Sequence, residues 1–211
     1  MKTDDFINLL TNDSRVKVRF GRVFAIALAI GVVLSAAFLL STIGIRKNMA
    51  EMIETPRVVF KLGLTLLLAI TATRLAFRVG KPGISLHAAA LTLILPLAIL
   101  IAGLAIELMV VPEDAWATSM KGHFSVFCLI FVPALSIAPL AAILYSIRQG
   151  APENPGKAGA IAGLAAGGIA AAIYAWHCPD DSPLFLATWY SIGILAATAA
   201  GFLLGRRVLR W

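Results

Sequence analysis

The sequence predicts an all-α integral membrane bundle of six transmembrane helices, preceded by a short cytoplasmic amino-terminal segment. Three observations carry this. Of 211 residues, 60% are apolar and only 14% charged, with a mean hydropathy of +0.89, whereas a soluble domain is about 45–50% apolar and ~25% charged. The apolar residues fall into six runs, each close to the ~20 residues that cross the hydrocarbon as a helix. Between the runs lie short polar stretches such as Lys81-Pro82-Gly83 and Ala151-Pro152-Glu153-Asn154-Pro155-Gly156, which mark turns between antiparallel helices. A soluble core and a separately folded catalytic domain are both excluded.

Residues 1–22 form the cytoplasmic segment and residues 23–211 the membrane domain. The first span, 23–45, is too long for a signal-peptide core and has no convincing cleavage site, so it reads as retained. The others are expected at 57–77, 88–110, 124–147, 158–176 and 184–205. In the second and third spans Lys61 and Glu107 each lie about one turn from the outer end. Ionisable groups there need a partner or must snorkel, and similar depth suggests that these two pair. Pro96 in the third span and Pro133 and Pro139 in the fourth each remove a backbone hydrogen bond, so kinks are expected. Gly159, Gly163 and Gly167 in the fifth span, and Gly193, Ala197, Gly201 and Gly205 in the sixth, form ridges of small residues at four-residue spacing. Such ridges let two backbones approach closely, so these spans should pack as a tight hairpin; a homodimer face is the alternative use. No internal repeat suggests the inverted halves of a transporter.

Orientation follows from Lys and Arg, which are retained on the cytoplasmic side. Lys2, Arg15, Lys17, Arg19, Arg22, Arg74, Arg78, Lys81, Arg148, Lys157, Arg206, Arg207 and Arg210 fall on one side, 13 of the 18 basic residues. Arg46, Lys47, Arg57, Lys61 and Lys121 fall on the other. Both termini should therefore face the cytoplasm. Topology then accounts for the net charge of +7, and no basic motif interleaved with aromatics supports direct nucleic-acid binding.

The amino-terminal segment carries a helix signal of its own. Thr3 can cap a helix start, Asp4 and Asp5 suit the positive end of its dipole, and Phe6 and Leu10 share a face broadened by Ile7 and Leu9. So short a helix needs a partner to be ordered, and an acidic start disfavours a lipid surface. Asp4, Asp5, Phe6, Ile7, Leu9 and Leu10 are accordingly the candidate docking face for a protein.

The two cysteines meet at the outer membrane face once topology is assigned. Cys128 lies about one turn into the fourth span, and Cys178 opens His177-Cys178-Pro179-Asp180-Asp181-Ser182-Pro183. Cys128 and Cys178, with His177, Asp180 and Asp181, form the candidate sensing site. A constitutive disulfide, two unrelated buried thiols, and soft-metal capture aided by His123 remain open readings. There is no C-x-x-C and no paired-His motif, so no metal ligands, cofactor or catalytic residues are assigned, and the chain does not read as an enzyme.

The start Met1-Lys2-Thr3-Asp4-Asp5-Phe6-Ile7, the six spans, and Trp176-His177-Cys178-Pro179-Asp180-Asp181-Ser182-Pro183-Leu184-Phe185 followed by Trp189-Tyr190 resemble the NrsF family of bacterial membrane-embedded anti-sigma factors. The His-Cys-Pro-Asp-Asp-Ser-Pro loop is the most specific part of that resemblance, which covers essentially the whole chain. It implies an inner-membrane protein that holds an extracytoplasmic-function sigma factor inactive and releases it when an envelope or thiol-directed stress signal arrives from outside. The alternative is a small transporter or channel, which would need polar groups lining a path at mid-membrane.

Overall fold

The computed structural model describes residues 20–81, 83–150 and 152–210. In chain order its helices are α1 (Phe20–Thr42), α2 (Met49–Met52), α3 (Pro56–Val79), α4 (His87–Leu91), α5 (Ile94–Val110), α6 (Glu113–Lys121), α7 (Ser125–Arg148), α8 (Pro155–Tyr174), α9 (Pro183–Phe185) and α10 (Ser191–Val208). A π-helical turn, Leu186–Tyr190, joins α9 to α10. No strand occurs among the described residues. Among the described residues six helices are long and apolar enough to cross a membrane: α1, α3, α4 with α5, α7, α8, and α9 through α10. Every end falls within three residues of its expected position.

The small-residue ridges set the packing. A Cβ added to Gly163 would stand 2.7 Å from the Thr198 Cα, and one added to Gly205 would stand 2.6 Å from the Gly159 Cα. The backbones of α8 and α10 therefore touch, as the spacing predicts, and the ridge is used within the chain. On its other side α8 meets α3, where a Cβ on Gly168 would lie 3.2 Å from the Ala69 Cα. The result is a central α8, mostly buried, and a peripheral third span, mostly exposed.

The prolines act differently from one another. Pro139 deprives the Leu135 carbonyl of its intrahelical donor, and the Ser35 hydroxyl of α1 donates to that same oxygen at 2.7 Å, while α7 runs on through both Pro133 and Pro139. Gly31, one turn earlier, lets α1 come that near: a Cβ there would lie 3.0 Å from the Pro139 Cα. Pro96 falls just beyond a break in the third span at residues 92–93, and the Thr92 carbonyl it deprives accepts from Leu95 N–H at 3.3 Å instead.

One connection departs from its expected form. Residues 111–123, between the third and fourth expected spans, are not a plain turn: Glu113–Lys121 is helical, with Glu113 and Asp114 in the first turn and Lys121 in the last. Acids at the start and a base at the end complement the helix dipole. Gly122, at φ +56°, lets the chain turn out of α6 towards α7.

Candidate functional site

The functional candidates converge on the 175–182 connection, at the end of the bundle that the charge asymmetry assigns outside. As α8 ends, the Tyr174 carbonyl accepts from the His177 and Cys178 N–H groups at 2.9 and 3.1 Å. Pro at the first position of α9 and the Ser182 hydroxyl, which accepts from Leu184 N–H at 3.2 Å, then start the sixth span. Between these two anchors the chain presents its carbonyls and carboxylates to the surrounding helices.

Lys61 of α3 is the centre of the arrangement. Its side chain is 1% exposed. The ammonium donates to the Cys178 carbonyl at 2.7 Å, the Asp180 carbonyl at 3.4 Å and the Asp181 carboxylate. A buried charge is tolerable only with this kind of partnering. Asp181 also accepts from Arg46 at 2.9 Å, so two cations share one carboxylate. The expected Lys61–Glu107 pair does not form. Glu107 instead takes the Arg57 guanidinium at 2.9 Å and the Ser182 hydroxyl at 3.0 Å. Depth alone gave Lys61 and Glu107 to each other, whereas the folded loop brings Asp181 nearer.

The remaining candidates hold other helices. The Asp180 carboxylate accepts from the His123 and Phe124 N–H groups at 3.0 and 2.8 Å, tying the loop to the start of α7 and its positive dipole end. The His177 ring nitrogen lies 3.0 Å from the Gly44 carbonyl, just past α1. His177, Asp181, Ser182 and Asp180 thus fasten the same end of each of the first four spans to one short loop. A cavity of about 740 Å³ opens beside this latch, lined by Arg46, Arg57, Thr118, His123, Asp180 and Asp181 among others.

Cys128 and Cys178 lie beneath the latch as free, fully buried thiols. They share one core cluster with Val132, Tyr174, Phe185 and Tyr190. Burial pushes the Cys178 thiol up, and nearby Lys61 only partly opposes it; a buried neutral thiol is a poor nucleophile. Sequence reasoning passed over two neighbours, Tyr174 and Tyr190, whose buried hydroxyls have no nitrogen or oxygen partner. The four-residue step from Tyr174 to Cys178 was the available signal. Among the described residues no three His, Cys, Asp or Glu side chains are placed to hold a metal ion. Asp4, Asp5, Phe6, Ile7, Leu9 and Leu10 lie outside the described residues.

The family model described as "Negative regulator of sigma F" (NrsF) matches residues 10–211. The chain is 30% identical, over 214 aligned positions and the whole of both chains, to the "Anti-sigma-F factor NrsF" of Caulobacter vibrioides. It is 29% identical over 213 positions, again the whole of both, to the "Probable anti-sigma-F factor NrsF" of Azospira oryzae. No solved structure matches.

Proposed function

The chain belongs to the NrsF family, and from that premise we propose that it is a membrane-bound anti-sigma factor. It holds an extracytoplasmic-function sigma factor inactive at the bacterial inner membrane, and releases it when a stress acts on the outer face. The observation that carries this reading is likeness along the full length to two relatives named as anti-sigma-F factors. The role is regulatory and non-catalytic.

In this reading both termini are cytoplasmic, and Asp4, Asp5, Phe6, Ile7, Leu9 and Leu10 present the docking face. The outer latch is the receiving end, with Cys128, Cys178, His177, Asp180 and Asp181 as its sensing residues. Because both thiols are buried, an oxidant or thiophilic metal reaches them when the loop lifts, and then holds it lifted. The stimulus favours the open packing by its differential interaction with the two states, as any switch requires. Lys61 sets the barrier, since opening strips a buried ammonium of the Cys178, Asp180 and Asp181 oxygens.

The experiment is affinity capture of the tagged full-length protein from detergent, with the co-purifying sigma factor identified. Polar replacement of Phe6 and Leu10 together should abolish capture while membrane insertion persists, because a few apolar anchors dominate small interfaces. Undiminished capture by that variant would place the docking face elsewhere; no sigma factor captured by the wild type would overturn the anti-sigma reading.

A further inference from the structure

At the end of the bundle opposite the latch, the connections after α3 and α7 meet so closely that a Cβ on Gly150 would overlap the Gly80 carbonyl oxygen. Beside this contact, and against the start of α8, lies a cavity of about 600 Å³. Val79, Ile84 and Leu86 give it an apolar lining; Lys81, Asn154 and Lys157 give it a basic, polar one, and Glu153 is the one acid among the described residues that line it. Among the described residues neither lysine has an ion-pair partner. Lys81 rests over the Phe77 ring at 4.2 Å, and Ile84 is 41% exposed. The amino end of α8 adds its dipole, with one N–H, that of Lys157, taken by the Asn154 side chain.

The chain enters the bundle next to this cavity. The Phe20 ring packs on Phe77, centroids 5.5 Å apart, and lies against Gly80. Residues 1–19 precede it, and from Thr3 to Leu10 they read Thr-Asp-Asp-Phe-Ile-Asn-Leu-Leu. That stretch is acidic, then apolar, and lacks any base: the complement of a lining with two lysines and three aliphatic residues. The ten steps from Leu10 to Phe20 reach as far as about 36 Å when extended, ample for a cavity one residue beyond Gly80.

We propose that this inner cavity binds the chain's own amino-terminal segment, with Asp4 and Asp5 set against Lys81 and Lys157, and Phe6 and Leu10 against Ile84 and Leu86. The bundle and the sigma factor then compete for one segment, and a stimulus that tightens the cavity frees the partner. This competition rests on the docking reading given above, but the intramolecular contact is testable without any partner.

The test uses the full-length protein purified alone in detergent, with a photoreactive benzoylphenylalanine in place of Phe6. Irradiation and peptide mapping should find links within the chain to residues 79–86 or 153–157. Lys81→Glu with Lys157→Glu should lower the yield about tenfold, two attractive pairs becoming repulsive, and adding Asp4→Lys with Asp5→Lys should restore it. Links that fall outside the cavity, run to a second copy, or ignore the charge reversal overturn the proposal. Restoration by the charge swap also excludes misfolding as the cause of loss. Retained sigma-factor capture by the Phe6 and Leu10 variant bears on the docking reading alone, and leaves this result standing.

Discussion

Lys61→Met is the most direct probe of the outer latch. Methionine fills nearly the same volume but cannot donate, so the Cys178 carbonyl loses its 2.7 Å donor and Asp181 keeps only Arg46. Removing one partner of a buried ion pair costs about 3–5 kcal/mol. The surviving Arg46 contact, on a carboxylate 11% exposed, places the expectation at the lower end, about 3 kcal/mol. For a chain of this size that is roughly 6–12 °C in the unfolding midpoint. The assay is thermal unfolding of detergent-purified protein, run as a double-mutant cycle with Asp181→Asn. The two changes should be strongly non-additive, coupling by about 1–3 kcal/mol, because the pair is lost once. In cells the same variant should raise sigma-dependent reporter output without any inducer. A midpoint within a degree or two of wild type, or strict additivity, would refute the claim that this ammonium holds the loop.

Three further outcomes follow from the packing. Ser35→Ala should destabilise by about 1–3 kcal/mol by orphaning the Leu135 carbonyl, and Pro139→Ala should rescue it by restoring an intrahelical donor; a Pro139→Ala background in which Ser35→Ala costs just as much would disprove the assignment. Gly163→Val should abolish accumulation of folded protein, since its Cβ would stand 2.7 Å from the Thr198 Cα, whereas Gly63→Ala, with no atom within 4 Å, should be neutral or better by up to about 1 kcal/mol. Cys178, its thiol raised by burial, should stay protonated at neutral pH and resist iodoacetamide in folded protein, with labelling accelerating sharply on unfolding; alkylation at the rate of a free thiol in the folded state would contradict the burial.

The spans were legible because hydrocarbon thickness fixes their length, and the α8–α10 contact because glycine spacing fixes a face. Pairing within the outer site was not. Lys61 stood out as a buried cation, but choosing Asp181 over Glu107 depends on how a loop 120 residues away in sequence folds back. Ser35 carried no visible role until α1 was seen beside α7, where its hydroxyl meets the one carbonyl that Pro139 had left free. The signals for α6 were present in Glu113, Asp114, Lys121 and Gly122, yet a short polar stretch between two spans reads as a turn unless its charges are weighed against a helix dipole. For the π-helical turn at Leu186–Tyr190 the sequence holds no punctuation at all, neither glycine nor proline.

On the proposed reading an outer event must reach an inner surface, and α8, like α3, touches both sites. Its carboxyl end leads directly into Cys178 and the latch, while its amino end supplies Asn154 and Lys157 to the inner cavity. Twenty residues at ~1.5 Å each place these two sites about 30 Å apart. Backbone contact with α10 through Gly159 and Gly163 leaves little room for α8 to bend or slide alone. On that reading a displacement at the Cys178 end moves α8 and α10 together against α3, whose far end bears Val79 and precedes Lys81. On the proposed reading this contiguous element carries the coupling, and the seated and lifted latch are its two arrangements. With the loop seated, Lys61 is satisfied by Cys178, Asp180 and Asp181. With it lifted, the ammonium must find water, and α3 and α8 are no longer tied at that end.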